Sequence, residues 1–294
     1  METANDAAGQ PSHEPERAAP PPASPRSPVY PLRVRTLHTE ALVLRVVEFG
    51  ESDLILHLLT PETARLTAIA RHARRSQKRF AGNLDFFNHL RISVVRRGSG
   101  SMARLEQATL VEAFGAIRRD TARFAMGCYL LELLDRLAPE GGVREDAQRL
   151  FGFALSALRA LDARRPDARL RALLELRALD ALGLRPELDA CVRCGGALGG
   201  NDEVPFHPGE GGPLCPACST LREGTIGVHL GTLRALAMGL RFEVERLDRV
   251  ALAPAALSEA RALLSRFARF HLGLELQSER FLNEIIPSGE LPAG

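Results

Sequence analysis

The chain has 294 residues, 45% hydrophobic and 25% charged, with five cysteines, no tryptophan and a net charge of only +2. This is enough apolar content for two domains plus a small module, and it excludes a polycation as a whole. No apolar run approaches the roughly 18–20 residues that a membrane-spanning helix needs.

Residues 1 to about 35 carry eight prolines with Ala, Ser and Glu and few bulky apolar side chains. Such a stretch cannot bury enough surface to offset its ordering entropy, so 1–35 is expected to be a disordered tail. Its start is polar rather than apolar, which argues against a signal peptide and for a cytoplasmic protein in a reducing compartment. From Thr39 the texture changes. Ala41–Val47, Leu54–Leu59 and Arg65–Ala70 read as strands, separated by turns at Phe49–Asp53 and Thr60–Thr63. Leu90–Arg96 and Met102–Leu110 follow as two more, joined by a Gly98–Ser101 hairpin signal. Five short strands with a break after the third predict an OB-fold barrel over 36–112, and an SH3-like barrel of similar size has the same strand count.

The break holds Arg71-His-Ala-Arg-Arg-Ser-Gln-Lys-Arg79, five permanent charges in nine residues and no acid. From Pro61 to Arg104 there are ten Arg or Lys residues against Glu62 and Asp85 alone. Lys78 is the only lysine of the chain, so arginine richness is partly compositional; its clustering is not. A charge run is often a solvated face. Attached to a barrel of a type that grips single strands, this one reads as a phosphate-contacting array of Arg71, Arg74, Arg75, Lys78 and Arg79, continued by Arg96 and Arg97. Phe80, Phe86 and Phe87 follow at once, as stacking platforms or, more in keeping with phenylalanine, as barrel core.

After Phe114 the apolar period becomes helical. Tyr129, Leu130, Leu133, Leu134 and Leu137 share one face, Arg144–Ala163 and Ala168–Leu182 form two further helices, and about Val228–Leu240 and Pro254–Leu272 close the chain. Cys191-Val-Arg-Cys194 and Cys215-Pro-Ala-Cys218 interrupt this helical region, with twenty residues between the pairs. That spacing and the glycines flanking the pairs are the layout of a closed, structural four-cysteine zinc site, rather than disulfides or free thiols. His207, between the pairs, has no vacancy to fill once four thiolates are counted. Cys128 lies in an apolar helical stretch and reads as core. No phosphate loop, dinucleotide fingerprint, nucleophile elbow or paired-histidine metal motif appears, so no catalytic residue is assigned and the chain is expected not to be an enzyme. The expected fold is α+β and multidomain: the barrel, an all-helical domain over 113–190 and 224–287, the inserted four-cysteine zinc module at 191–223, and a tail at 288–294.

Several stretches resemble the RecO family of bacterial recombination mediators. They are Thr39–Asp53 with its following Leu-Thr-Pro-Glu turn, Arg74–Phe87, Tyr129–Leu134, the four cysteines with Phe206–Cys215, and Gln277–Leu282, in the family's order over about 37–286. The resemblance implies the same barrel, helical domain and zinc module. It also implies binding of single- and double-stranded DNA, annealing of complementary strands, and loading of the recombinase in RecF-pathway repair. Implied partners are RecR, the acidic C-terminal tail of single-strand-binding protein and, in some lineages, RecF, with no membrane. By position, Arg71, Arg74, Arg75, Lys78 and Arg79 fall where the family's barrel is basic. The N-terminal extension and the Arg-for-Lys bias depart from the pattern. Two other readings compete: a zinc-ribbon adaptor that binds proteins without touching DNA, and a zinc hydrolase, which would need an open metal position that four cysteines deny.

Overall fold

The computed structural model describes residues 34–76, 78–97, 102–199, 202–219, 224–273 and 275–287. Five strands come first: β1 (Val34–Phe49), β2 (Asp53–Thr60), β3 (Ala64–Ala70), β4 (Asn88–Arg97) and β5 (Ala103–Ala113). They close into a barrel in the order β1-β2-β3-β5-β4, with β1 pairing to both β2 and β4 and a short parallel contact joining β3 to β5. This is the OB-fold arrangement, and it decides against the SH3-like alternative. β1 begins at Val34 rather than Ala41, and its N-terminal half is committed to β4 before a register shift between Val43 and Arg45 turns it toward β2. The Gly98–Ser101 hairpin signal, most of the N-terminal tail and the 288–294 tail lie outside the described residues.

The helices are α1 (Gly115–Arg119), α2 (Thr121–Leu137), α3 (Arg144–Ala163), α4 (Ala168–Ala181), α5 (Leu230–Arg241), α6 (Pro254–Leu272) and α7 (Gln277–Ile285). Asp120 and Asp167 cap α2 and α4 by accepting from Arg123 N at 3.0 Å and Leu170 N at 2.7 Å. Three helices, not two, close the chain. α7 is too short for its apolar period to stand out, and Leu282 is its one fully buried residue. Between α4 and α5 a small sheet, β6 (Glu203–His207), β7 (Gly212–Pro213) and β8 (Ile226–His229), carries the cysteine module in the order β7-β6-β8. Its third strand runs past the expected module boundary at 223.

Two cores form. Ala41, Val43, Leu56, Leu58, Leu90, Ile92 and Leu105 fill the barrel, which Phe80 and Leu84 close. The helical core also takes Leu42, Leu44 and Leu59 from the strands and Phe87 from the β3–β4 connection. The unbroken apolar run Ala41–Leu44 therefore has a two-sided cause: alternate residues enter the barrel and the helical core. Phe87 packs so closely on α2 that a Cβ at Gly127 would lie 2.7 Å from its ring. Asp135 of α2 fixes the seam, holding His57 Nδ1 at 2.5 Å while its backbone carbonyl accepts from Arg65 at 2.9 Å.

Candidate functional site

The two cysteine knuckles are built by backbone chemistry. Cys191 accepts from Gly195 N at 2.8 Å and donates to Gly196 O at 2.9 Å, a reversal that places Gly195 at φ +70°. In the second knuckle Cys218 N donates to Cys215 O at 3.0 Å. Leu214 N reaches Pro205 O of β6 at 2.8 Å, and Val192 N reaches Pro213 O of β7 at 2.9 Å, so the sheet sets one knuckle against the other. The Sγ atoms of Cys191, Cys194, Cys215 and Cys218 all lie within 4.8 Å of one another, a cluster that can hold a metal ion. Arg193 latches the rim, with Glu210 at 2.6 and 2.7 Å and the Cys218 carbonyl at 2.8 Å.

The thiols do not ionise alike. Burial raises the Cys191 thiol, but amide donors at Cys215, Cys194 and Arg193 outweigh it and hold it down at about 6. Cys218 is pushed up to about 12, first by its hydrogen bond to Cys215. Once one sulfur is anionic its neighbours resist following, and a central cation removes that resistance. His207 stands apart, its Nδ1 accepting from Glu210 N at 3.1 Å. Cys128 is raised to about 11 by burial and then by Glu132, which keeps it a protonated thiol.

The basic segment is not a free loop. Ala73–Arg75 form a 3-10 turn clipped to the β1–β2 connection: His72 N donates to Asp53 at 2.8 Å, Arg74 N to Ser52 O at 3.1 Å, and the Ser52 hydroxyl meets His72 Nδ1 at 3.2 Å. Downstream, Ala108 N of β5 donates to Arg79 O at 3.0 Å, and Phe80 follows into the barrel mouth. Two of the five cations have partners that a local charge count misses. Arg74 pairs with Glu48 of β1 at 3.2 Å, and Arg79 bends back to the Arg71 carbonyl and lies 4.9 Å over the Phe80 ring. Arg71, Arg75 and Lys78 are exposed and have no acidic partner among the described residues. Ile69, Arg104 and Val95 stand in register across β3, β5 and β4, and since β4 runs antiparallel to β3, exposed Arg96 lies two strands across and three residues back from Arg71, roughly 14 Å away. The Arg97 side chain lies outside the described residues. Of the three phenylalanines, Phe80 and Phe87 are core, and only Phe86 is exposed, at 39%.

A third feature is a cleft of about 760 Å³ between α2, α4, α6 and α7. Arg171 links Glu175 at 2.8 Å to the Ile286 carbonyl at 2.6 Å, and Arg261 donates to the Pro287 carbonyl, so two buried guanidiniums hold the end of α7. Glu132 of α2 holds its start, accepting from Gln277 N at 2.9 Å and from the Ser278 amide at 2.8 Å and hydroxyl at 2.5 Å. Burial alone would raise the Glu132 carboxyl, but these donors dominate and keep it below the usual range. Its stabilising contribution is therefore complete above the unfolded-state value of about 4.3 and is lost as pH falls through the lower folded value. Glu132→Gln is expected to cost about 1 kcal/mol near neutral pH, with the gap to the wild type closing in acid, read from urea midpoints across pH.

No helix among the described residues is long and apolar enough to cross a membrane. The fold and the cysteine cluster together define an OB-barrel protein whose helical domain carries an inserted, metal-capable four-cysteine module. The model for the Recombination protein O N terminal domain matches residues 34–114, and that for its C terminal domain matches 118–280. The chain belongs to the RecO family of DNA repair proteins. It is 42% identical over 250 residues to the DNA repair protein RecO of Anaeromyxobacter sp. (strain K), covering 84% of this chain and 95% of that one. It is 37% identical to that of Myxococcus xanthus over 246 residues, 84% and 96% of the two chains. The Symbiobacterium thermophilum protein is 35% identical over 249 residues, 84% and 97%.

Proposed function

We propose that this chain is a non-enzymatic, DNA-binding recombination mediator that anneals complementary single strands and helps load the recombinase onto DNA coated by single-strand-binding protein. The observation that carries this reading is the exposed cationic segment tied to the end of a closed OB barrel. Arg71, Arg75, Lys78 and Arg96 face solvent there, with Arg74 and Arg79 in reserve; Arg97 extends the set by its place in β4. Cations on a rigid frame screen phosphate repulsion, so that two strands meet at a lower electrostatic cost. With about five phosphates contacted, the logarithm of affinity should fall with the logarithm of salt with a slope of roughly −3.5 on single strands.

The metal in this reading is zinc, held by Cys191, Cys194, Cys215 and Cys218. The Cys194 and Cys215 sulfurs are 3.7 Å apart, against about 3.8 Å for the edge of a tetrahedron with Zn–S near 2.3 Å. Zinc closed in by four thiolates supplies cross-linking and no reaction. RecR, the acidic tail of single-strand-binding protein and, in some settings, RecF are the partners the family relationship supports, acting in the cytoplasm at the nucleoid. The decisive assay is annealing of complementary oligonucleotides coated with the cognate single-strand-binding protein. Acceleration well above the uncatalysed rate is expected, and none at any protein concentration would remove the reading.

A further inference from the structure

Phe49 is the last residue of β1, and it is 53% exposed. An isolated exposed phenylalanine needs no explanation, but this one has a setting. β1 residues Arg45, Val47 and Phe49 alternate with barrel-facing ones and point outward. Val47 pairs with Ile55 of β2, and Ile55 with Ile69 of β3, so three partly exposed aliphatic side chains form one row on the outer face. Phe49 pairs with Asp53 one rung further along. Arg71 directly follows the end of β3. The aromatic ring thus stands at the end of an apolar strip and beside the start of the cationic segment.

The two are also rigidly coupled. The turn after Phe49 is the one to which the segment is clipped, through His72 N to Asp53, Arg74 N to Ser52 O, and Arg74 to Glu48, Phe49's own neighbour. Gly50, at φ +61°, makes the sharp exit that leaves the ring uncovered. Of the acids here, Glu48 and Asp53 are engaged, and Glu51 faces solvent. An exposed ring at the end of β1, beside β2 and on a turn shared with a cationic segment of an OB barrel, has the chemistry that unpaired bases require.

We propose that Phe49 is a stacking platform for an unpaired base of single-stranded nucleic acid, whose backbone is tracked by Arg71, Arg75 and Lys78 while its neighbouring bases lie on the Val47–Ile55–Ile69 strip. This rests on the reading of the basic edge as a DNA-binding surface. It adds what charge alone does not give, a preference for single strands, because a base inside a duplex offers no free face.

The chain contains no tryptophan, so Phe49→Trp introduces a unique fluorophore. Full-length F49W should bind oligo(dT) about as tightly as the wild type, with its emission quenched on binding. Phe49→Ala and Phe49→Leu should each weaken oligo(dT) binding about 5- to 100-fold at constant salt, leaving the salt slope, the melting temperature and affinity for an abasic strand of equal length unchanged. Leucine separates stacking from simple apolar contact. Unquenched F49W on saturating oligo(dT), or F49A with wild-type affinity, overturns the proposal. If basic-segment substitutions still weaken binding in that case, the DNA-binding reading survives without it; if the wild type binds no single strand at all, both fall.

Discussion

Cys191→Ser is expected to lose stoichiometric metal and to unfold the module from Cys191 to β8 before any effect on DNA appears. Serine keeps the size of the side chain but not a thiolate, so the coordination shell drops from four sulfurs to three. The damage should not stop at the knuckle. Cys191 and Cys215 are buried in the same continuous core as Leu188, Leu198, Phe206 and the α4–α6 leucines. The module is also keyed to α6, where His271 Nε2 contacts the Pro208 carbonyl at 2.8 Å and Phe270 packs on Gly209. Structural zinc contributes about 10–16 kcal/mol in small peptides, far more than a single side chain normally controls. The expected result is a large fall in the melting temperature for C191S and for chelated wild type, with metal content read by mass spectrometry. Cys128→Ser, removing a thiol outside the cluster, should leave metal content unchanged. A metal-free C191S that melts like the wild type would overturn the structural role. A folded C191S that had lost DNA binding alone would move the function to the metal.

Much of this was legible in order and kind. Turn chemistry at Gly50 and Pro61 separated the first three strands, and the cysteine spacing announced the cluster. Other features depend on contacts between residues distant in the chain. That Leu42 and Leu44 face the helices while Ala41 and Val43 fill the barrel follows from docking, and an unbroken apolar run cannot reveal it. The barrel-core reading holds for Phe80, but Phe87 plugs the helical core instead, a partition set by docking against α2. α7 has little apolar burial of its own and is held at its ends by Glu132, Arg171 and Arg261 from three other helices. The same holds for the basic segment. Counting acids within Arg71–Arg79 finds none, but the β1–β2 turn brings Glu48 onto Arg74 across 26 residues.

That pairing reorders the expected effects of substitution at the basic edge. Arg79 is part of the scaffold, stacked on Phe80 and bonded to the Arg71 carbonyl, so its loss mixes folding with binding. Arg71, Arg75 and Lys78 are the cations free to meet phosphate, and the triple alanine variant is the clean test. At about 0.7 of slope per contact on single strands, their removal should take the salt slope from roughly −3.5 toward −1.5 and weaken binding by tenfold or more at about 0.15 M salt, uniformly across sequences. The melting temperature should hold, since all three side chains are exposed. Arg74→Ala alone should do less, because Glu48 already neutralises that charge. Glu48→Gln carries the opposite sign: it releases Arg74 to the solvent face and should tighten binding and steepen the slope by up to about 0.7. A surface that merely keeps the protein soluble would show neither the flattening nor its reversal, and isothermal titration at three or four salt concentrations distinguishes the two.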